Sequence, residues 1–127
     1  MKKMLLPFLV VFSLFFSSCG FNANENKGSL VIQNNAENEN ISITAVYVKE
    51  KESSGYQLVW SGEIKNNESE FILLEKGDYS VKIATVNSLY DLFSSINYYE
   101  TGYNIYKTLN AYDFVNVVFD GNGIYFE

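Results

Sequence analysis

Few side chains in this 127-residue sequence could carry out catalysis. There is one cysteine, Cys19, and there is no histidine. Without histidine the chain lacks the base of the common Ser-His and Cys-His nucleophile pairs, and a zinc site would need carboxylates alone. No P-loop and no glycine-rich dinucleotide-binding motif occurs. Most enzyme classes are therefore excluded.

Carboxylates are the remaining groups that could cooperate, as they do in glycoside hydrolysis. Asp113, Asp120 and Glu100 lie in the aromatic C-terminal half, but the favoured interpretation is that Asp120 shapes its turn and the other two are solvated. The segment DGNG, from Asp120 to Gly123, lacks the further oxygen ligands and the distal Glu that a calcium loop needs. Its Asn122-Gly123 pair favours a hairpin turn, since both residues tolerate positive φ. We therefore predict no enzyme, no metal and no other cofactor.

Tyrosine density is the most unusual feature of the sequence. Tyrosine combines a broad apolar ring with a polar hydroxyl, which suits recognition surfaces. The alternative is that the rings fill the core. Six of the ten tyrosines fall within 23 residues, namely Tyr90, Tyr98, Tyr99, Tyr103, Tyr106 and Tyr112. Tyr98 and Tyr99 are adjacent, so a strand would turn them to opposite faces. Our hypothesis is that Tyr98, Tyr99, Tyr103 and Tyr106 form a binding surface.

The single cysteine follows an apolar segment. Met4 to Phe16 is apolar apart from Pro7 and Ser13. These 13 residues have the length of a signal-peptide core, because a membrane-spanning helix needs about 20. The segment therefore predicts export rather than a permanent membrane span.

The residues around the cysteine resemble a known processing site. Phe16-Ser17-Ser18-Cys19-Gly20 is similar to the lipobox of bacterial lipoproteins, although Leu is more usual where Phe16 stands. The resemblance implies a diacylglyceryl group on the Cys19 thiol, cleavage before Cys19 and acylation of the new amino terminus. It would also explain why the cysteine needs no disulfide partner. The alternative is an ordinary secretory signal with a cysteine nearby.

Charge excludes one class of partner. Because Lys2 and Lys3 leave with the signal peptide, the net charge of −6 becomes −8. Nucleic-acid binding depends on neutralising phosphates, so we predict no nucleic-acid partner. The same charge disfavours binding to anionic lipid headgroups.

Most of the chain after Gly28 has the period-two pattern of strands. Tyr56, Leu58, Trp60, Gly62 and Ile64 are predicted to share one face, with Trp60 buried between two sheets. On the preceding strand, Ile41, Ile43, Ala45 and Tyr47 are predicted to share another face. The period changes between 88 and 96, where the apolar spacing predicts a short helix near 89–96.

These patterns predict an all-β fold, an antiparallel β-sandwich with that one short helix. The segment from Phe71 to Ile83, FILLEKGDYSVKI, resembles the strand-turn-strand of transthyretin-like and carboxypeptidase-regulatory-like sandwiches. Immunoglobulin-like sandwiches share the motif. In those families the domain is usually an accessory or adhesive module, so the resemblance implies a role without catalysis.

The expected organisation is a signal peptide at 1–18, a lipidated tether at 19–27 and one β-sandwich at 28–127. The expected protein is anchored in the bacterial cell envelope by lipid on Cys19, at the outer membrane or cell surface rather than the inner membrane. It would bind an envelope protein or a glycan, or take part in an assembly there. The alternative is a small envelope inhibitor or immunity-type protein that blocks an enzyme with a loop.

Overall fold

The computed structural model describes residues 26–88, 96–102 and 104–127. The described residues form nine strands. Their bounds are β1 Lys27–Asn34, β2 Ile41–Glu50, β3 Gln57–Ile64, β4 Ser69–Glu75, β5 Gly77–Asn87, β6 Asn97–Glu100, β7 Lys107–Leu109, β8 Phe114–Phe119 and β9 Ile124–Phe126. The predicted signal peptide, most of the predicted tether and residues 89–95 of the predicted helix lie outside the described residues. No helix in the described part of the chain is long and apolar enough to cross a membrane.

The strands form two sheets that pack against each other, which confirms the predicted β-sandwich. The first sheet has the order β4-β1-β8-β9, and the second has the order β3-β2-β5-β6, with β7 also paired to β5. All pairs are antiparallel except β1 with β8. All five strands of the second sheet lie between β1 and β8 in the chain, which supplies the long connection that a parallel pair requires.

The core lies between the sheets and is mainly aliphatic, with two buried aromatic rings, those of Tyr79 and Phe119. Both sheets contribute alternate residues, because successive strand residues point to opposite faces. Leu30 and Ile32 come from β1, Val81 and Ile83 come from β5, and Phe119 lies at the end of β8 with no exposed surface. Removing these side chains from water supplies the main driving force for folding.

A β-bulge changes the facing of β2. Ile43 pairs with Thr85 on β5, whereas Ala45 pairs with Ala84, so Thr44 is an extra residue on β2. Because one extra residue reverses the alternation, Ile43 and then Val46 both face the core. The prediction that Ala45 and Tyr47 share a face with Ile43 is therefore wrong.

Two further irregularities change the facing of β3. Trp60 pairs with Val46 on the core side, but Leu58 pairs with Tyr47 on the outer side. Leu58 is accordingly 57% exposed, and the predicted common face of Tyr56 to Ile64 is wrong. Trp60 lies on an edge strand and is only partly buried against the core, so its predicted burial between the sheets is wrong too.

The turns also refine the sequence-based expectations. The turn at Lys76 carries the chain from β4 in one sheet to β5 in the other. The predicted hairpin of β8 and β9 is present. The Asp120 carboxylate accepts hydrogen bonds from the backbone N–H groups of Asn122 and Gly123 at 2.8 and 3.0 Å. Positive φ falls on Gly121 rather than on the expected Asn122-Gly123 pair, because the side-chain bonds of Asp120 shape the turn.

Candidate functional site

The outer face of the five-stranded sheet carries an unusual group around one lysine. Val81 and Ile83 of β5 face the core, so Lys82 between them points outward. Its Nζ atom lies 5.2 Å from the ring centroid of Tyr47, 4.9 Å from that of Tyr56 and 5.2 Å from that of Tyr98. All three distances are within the range of a cation–π interaction, about 6 Å. We call Tyr47, Tyr56, Lys82, Tyr98 and Glu100 the tyrosine-lysine face.

Sheet pairing brings the rings of this face together. Tyr47 on β2 and Glu100 on β6 are the cross-strand partners of Lys82. Tyr98 is the partner of Ala84, one step along the same outer face. Since alanine leaves the space beside it open, the rings of Tyr47 and Tyr98 approach to 6.4 Å between centroids, inclined at 56°. Ala84 itself is only 3% exposed.

A chain of hydroxyl groups fixes the third ring. The Tyr56 hydroxyl donates to Glu100 Oε1 at 3.1 Å. Because the Tyr56 hydroxyl has only one proton, it must accept from the Ser80 hydroxyl, which donates to it at 3.1 Å. By the same argument the Thr101 hydroxyl donates to Ser80, also at 3.1 Å. The Thr101 oxygen in turn accepts from the backbone N–H of Val81. This series of hydrogen bonds connects the loop before β3, through β5, to the end of β6.

Tyr56 remains protonated over the physiological range. Burial raises its pKa above the usual 10.0, and the nearby Glu100 carboxylate raises the pKa further, while the Ser80 hydrogen bond and Lys49 oppose these effects. The hydroxyl is therefore a permanent donor to Glu100. A carboxylate that is held in this way presents its remaining lone pairs to whatever lies on the face.

A groove continues the tyrosine-lysine face toward the loop after β6. The Tyr106 hydroxyl accepts a hydrogen bond from Lys49 Nζ at 2.5 Å, and the same Nζ lies 5.0 Å from the Tyr106 ring centroid. The groove has a volume of about 220 Å³ and is lined by Lys49, Ser54, Gly55, Tyr56, Ser80, Glu100, Gly102, Asn104 and Tyr106. Together the groove and the face offer aromatic rings beside hydrogen-bonding groups of both charges.

The four tyrosines of the sequence-based hypothesis occupy different environments. Tyr98 lies on the tyrosine-lysine face and is 54% exposed, and Tyr106 lines the adjoining groove. Tyr99 faces the core, where its ring is 5.0 Å from that of Phe119, so it is not part of this surface. Tyr103 lies outside the described residues.

Tyr47, Tyr56 and Lys82 were not predicted as site residues. They are far from Tyr98 in sequence, and only the pairing of β2 and β6 with β5 brings them together. One usable signal was present in the alternation of Tyr79, Val81 and Ile83 with Ser80 and Lys82, which places Lys82 outward. No pattern in the sequence indicates which strands flank it.

The three candidate carboxylates serve local roles in separate places. Asp113 Oδ1 accepts the next backbone N–H, that of Phe114, at 3.1 Å, and Asp120 shapes the β8–β9 turn. Glu100 lies in the other sheet. Among the described residues no group of three or more acidic, cysteine or histidine side chains could hold a metal ion.

Comparisons with family models, curated proteins and solved structures find no match to this chain. The resemblances to lipoproteins and to transthyretin-like modules therefore stay predictions from the sequence.

Proposed function

We propose that this protein is anchored in the bacterial cell envelope by lipid on Cys19 and binds a partner without catalysis, through the tyrosine-lysine face. The partner is an envelope protein or a glycan. The observation that carries the proposal is the set of three tyrosine rings within 4.9 to 5.2 Å of one outward-facing ammonium group.

The composition of this face suits recognition. Tyrosine rings contribute large contact areas with few rotatable bonds, and they are common among the residues that dominate binding energy. The rings of Tyr47, Tyr56 and Tyr98 are held by Lys82 and by the hydrogen bond to Glu100, so little conformational freedom remains to be lost on binding. A sugar ring or an apolar side chain can lie on such rings while Lys82 and Glu100 provide polar contacts.

The anchor is supported by the sequence. The lipobox-like segment that ends at Cys19 lies eight residues before Lys27, the first residue of β1. Two or three acyl chains would hold the protein stably at a membrane, whereas one chain binds marginally. The net charge of −8 that remains after cleavage would keep the exposed part of the domain in solution.

The alternative role, an inhibitor or immunity-type protein, would use a projecting loop. The loops at 35–40 and 51–55 are short and are tied down by hydrogen bonds. Examples are the bond from the Lys51 N–H to the Asp78 carbonyl at 3.0 Å and that from the Asn40 N–H to the Asn38 side chain at 2.9 Å. The tyrosine-lysine face offers three rings around Lys82, and we therefore favour the binding role.

Capture from detergent-solubilised envelope tests the proposal, with the lipidated protein as bait and with identification of the bound protein or glycan. The double variant Tyr47→Ser, Tyr98→Ser removes two rings of the outer face that do not belong to the core between the sheets. We expect capture to fall at least tenfold, because losing two such rings typically removes about 2 kcal/mol or more of binding energy.

A matched control removes an exposed tyrosine elsewhere. Tyr125 is 45% exposed on the outer face of the other sheet, and Tyr125→Ser should leave capture unchanged. Equal loss of capture in both variants, or full capture by the double variant at an unchanged melting temperature, would contradict the proposed surface.

A further inference from the structure

The outer face of the four-stranded sheet carries large apolar side chains that are exposed to solvent. Phe71 and Leu73 of β4 are 61% and 53% exposed, and Phe114 of β8 is 61% exposed. All three point away from the core because they alternate with the buried Ile72 and Val115. Large exposed side chains that adjoin one another mark surfaces of interaction.

These side chains form one continuous patch across three strands. Ser29 of β1 lies between Leu73 and Phe114, its cross-strand partners. Because serine is small, the rings of Phe71 and Phe114 meet above it, edge to face, with centroids 6.1 Å apart. Val31 lies beside them and is almost fully buried although it faces outward. We call Phe71, Leu73, Phe114 and Val31 the apolar face.

The apolar face has no charge within it. From Ser29 to Gln33 along β1, the outward residues and their cross-strand partners on β4 and β8 are uncharged. The first charged pair is Lys27 with Glu75, at the end of the sheet where β1 begins. The opposite signs of these two groups leave no net charge there. A partner recognised by this face must therefore be apolar itself.

The chain enters the sheet beside this face. Lys27 precedes Ser29 by two residues, and Tyr112, which is 73% exposed, donates its backbone N–H to the Lys27 carbonyl. Cys19 lies eight residues before Lys27, and eight residues reach at most about 29 Å even when fully extended. A lipid on Cys19 therefore keeps the apolar face within a short distance of the bilayer at all times.

We propose that the apolar face lies on the membrane, with Phe71, Leu73 and Phe114 inserted at the boundary between headgroups and acyl chains. This inference rests on the proposed lipid anchor at Cys19. Aromatic and aliphatic side chains at that depth bind by the apolar area that they bury. Since no basic residue contributes, the contact requires no anionic lipid and is insensitive to salt, which agrees with the acidic character of the chain. The tyrosine-lysine face belongs to the opposite sheet, so it then points away from the membrane toward its partner.

Fluorescence quenching by brominated lipid tests this orientation. Trp60 is the only tryptophan, so the full lipidated chain with Trp60→Phe provides a dark background. Phe114→Trp then reports on the apolar face, and Tyr98→Trp reports on the opposite sheet as the matched control. Both are reconstituted into phosphatidylcholine vesicles that contain acyl-brominated phosphatidylcholine, and unchanged melting temperatures verify the fold.

We expect the Phe114→Trp emission to lose most of its intensity in brominated vesicles, at low and at high salt, and the Tyr98→Trp emission to be unaffected. Equal quenching of both reporters, or of neither, would overturn the proposal. A blue-shifted Phe114→Trp emission that bromine does not quench would mean that a second copy of the chain covers the face, which also overturns it. Flotation of the vesicles tests the lipid anchor separately, because a protein without the anchor would not float with them. That result would overturn the membrane contact together with the anchor on which it rests.

Discussion

Asn34 holds the two sheets together at one end of the sandwich, and replacing it should destabilise the fold strongly. It is the last residue of β1, in the four-stranded sheet, and has no exposed surface. Its Nδ2 donates to the carbonyls of Ile41 and Ile64, both at 3.0 Å, on two strands of the other sheet. Its Oδ1 accepts from the Ala36 N–H at 3.1 Å.

The size of the expected loss of stability follows from the number of buried polar groups that lose a hydrogen-bond partner. Asn34→Leu keeps the number and branching of the side-chain heavy atoms, and it leaves two carbonyls and one N–H without their hydrogen-bond partner. Each unsatisfied buried group costs about 1–3 kcal/mol, so we expect a loss of about 3–5 kcal/mol. That is a large part of the 5–15 kcal/mol that is typical of a domain. Asn34→Asp keeps the acceptor but turns a buried carboxylate toward two carbonyl oxygens, which raises its pKa in the folded state. Its stability should therefore be highest in acid and should fall as pH rises from the usual carboxyl pKa of the unfolded state to the raised pKa of the folded state.

Urea unfolding measures both variants, with the slope of free energy against denaturant checked for constancy. Asn38→Ala is the matched control, because the Asn38 side chain accepts one hydrogen bond, from Asn40, at an exposed site. We expect that control to change stability by no more than about 0.5 kcal/mol. A loss below about 1 kcal/mol for Asn34→Leu would refute the reasoning, since it would mean that the buried groups find other partners.

Three further predictions concern the anchor, packing and pH. Cys19→Ser should release the protein from the membrane fraction or leave it unprocessed, whereas unchanged size and unchanged detergent partitioning would contradict lipidation. Gly28→Ala should cost about 1–3 kcal/mol, because a Cβ there would lie 2.4 Å from a backbone carbonyl oxygen. Gly123→Ala, which meets nothing within 4 Å, should be nearly neutral, and equal melting temperatures for the two variants would argue against the close approach. Burial raises the pKa values of Tyr56 and Tyr79 above 10.0, so the folded state holds these protons more tightly than the unfolded state. The stabilisation that these two groups contribute should be fully present below pH 10 and should be lost as pH rises above it. Tyr56→Phe should make this loss of stability smaller. Denaturation profiles against pH that coincide for the variant and the unchanged protein would exclude this role of Tyr56.

The fold class could be predicted because strand periodicity and turn residues are local properties. The alternation of Tyr79, Val81 and Ile83 with polar residues correctly predicted β5, and the DGNG segment correctly predicted the last hairpin. The facing of β2 and β3 could not be predicted in the same way. A single extra residue at Thr44 reverses the alternation of inward and outward side chains on β2. A threonine at that position does not by itself indicate a bulge.

The candidate site was predictable only in its tyrosine content. A cluster of tyrosines in sequence is not a cluster in space, as the inward-facing ring of Tyr99 demonstrates. Tyr47 and Tyr98 meet because their strands both pair with β5. This adjacency depends on the order of strands in the sheet, which no short segment encodes. Asn34 was missed for a related reason, since polar residues before a turn are ordinarily solvated.

The most direct test of the proposed binding surface is a map of the contact by nuclear magnetic resonance. The captured protein or glycan would be titrated into the isotopically labelled chain, and the backbone resonances that shift would be assigned. The account predicts that the shifts cluster on Tyr47, Lys82 and Tyr98, and that Lys82→Gln weakens binding while the melting temperature changes little. Shifts that cluster instead on the loops at 35–40 and 51–55, with binding unaffected by Lys82→Gln, would contradict it.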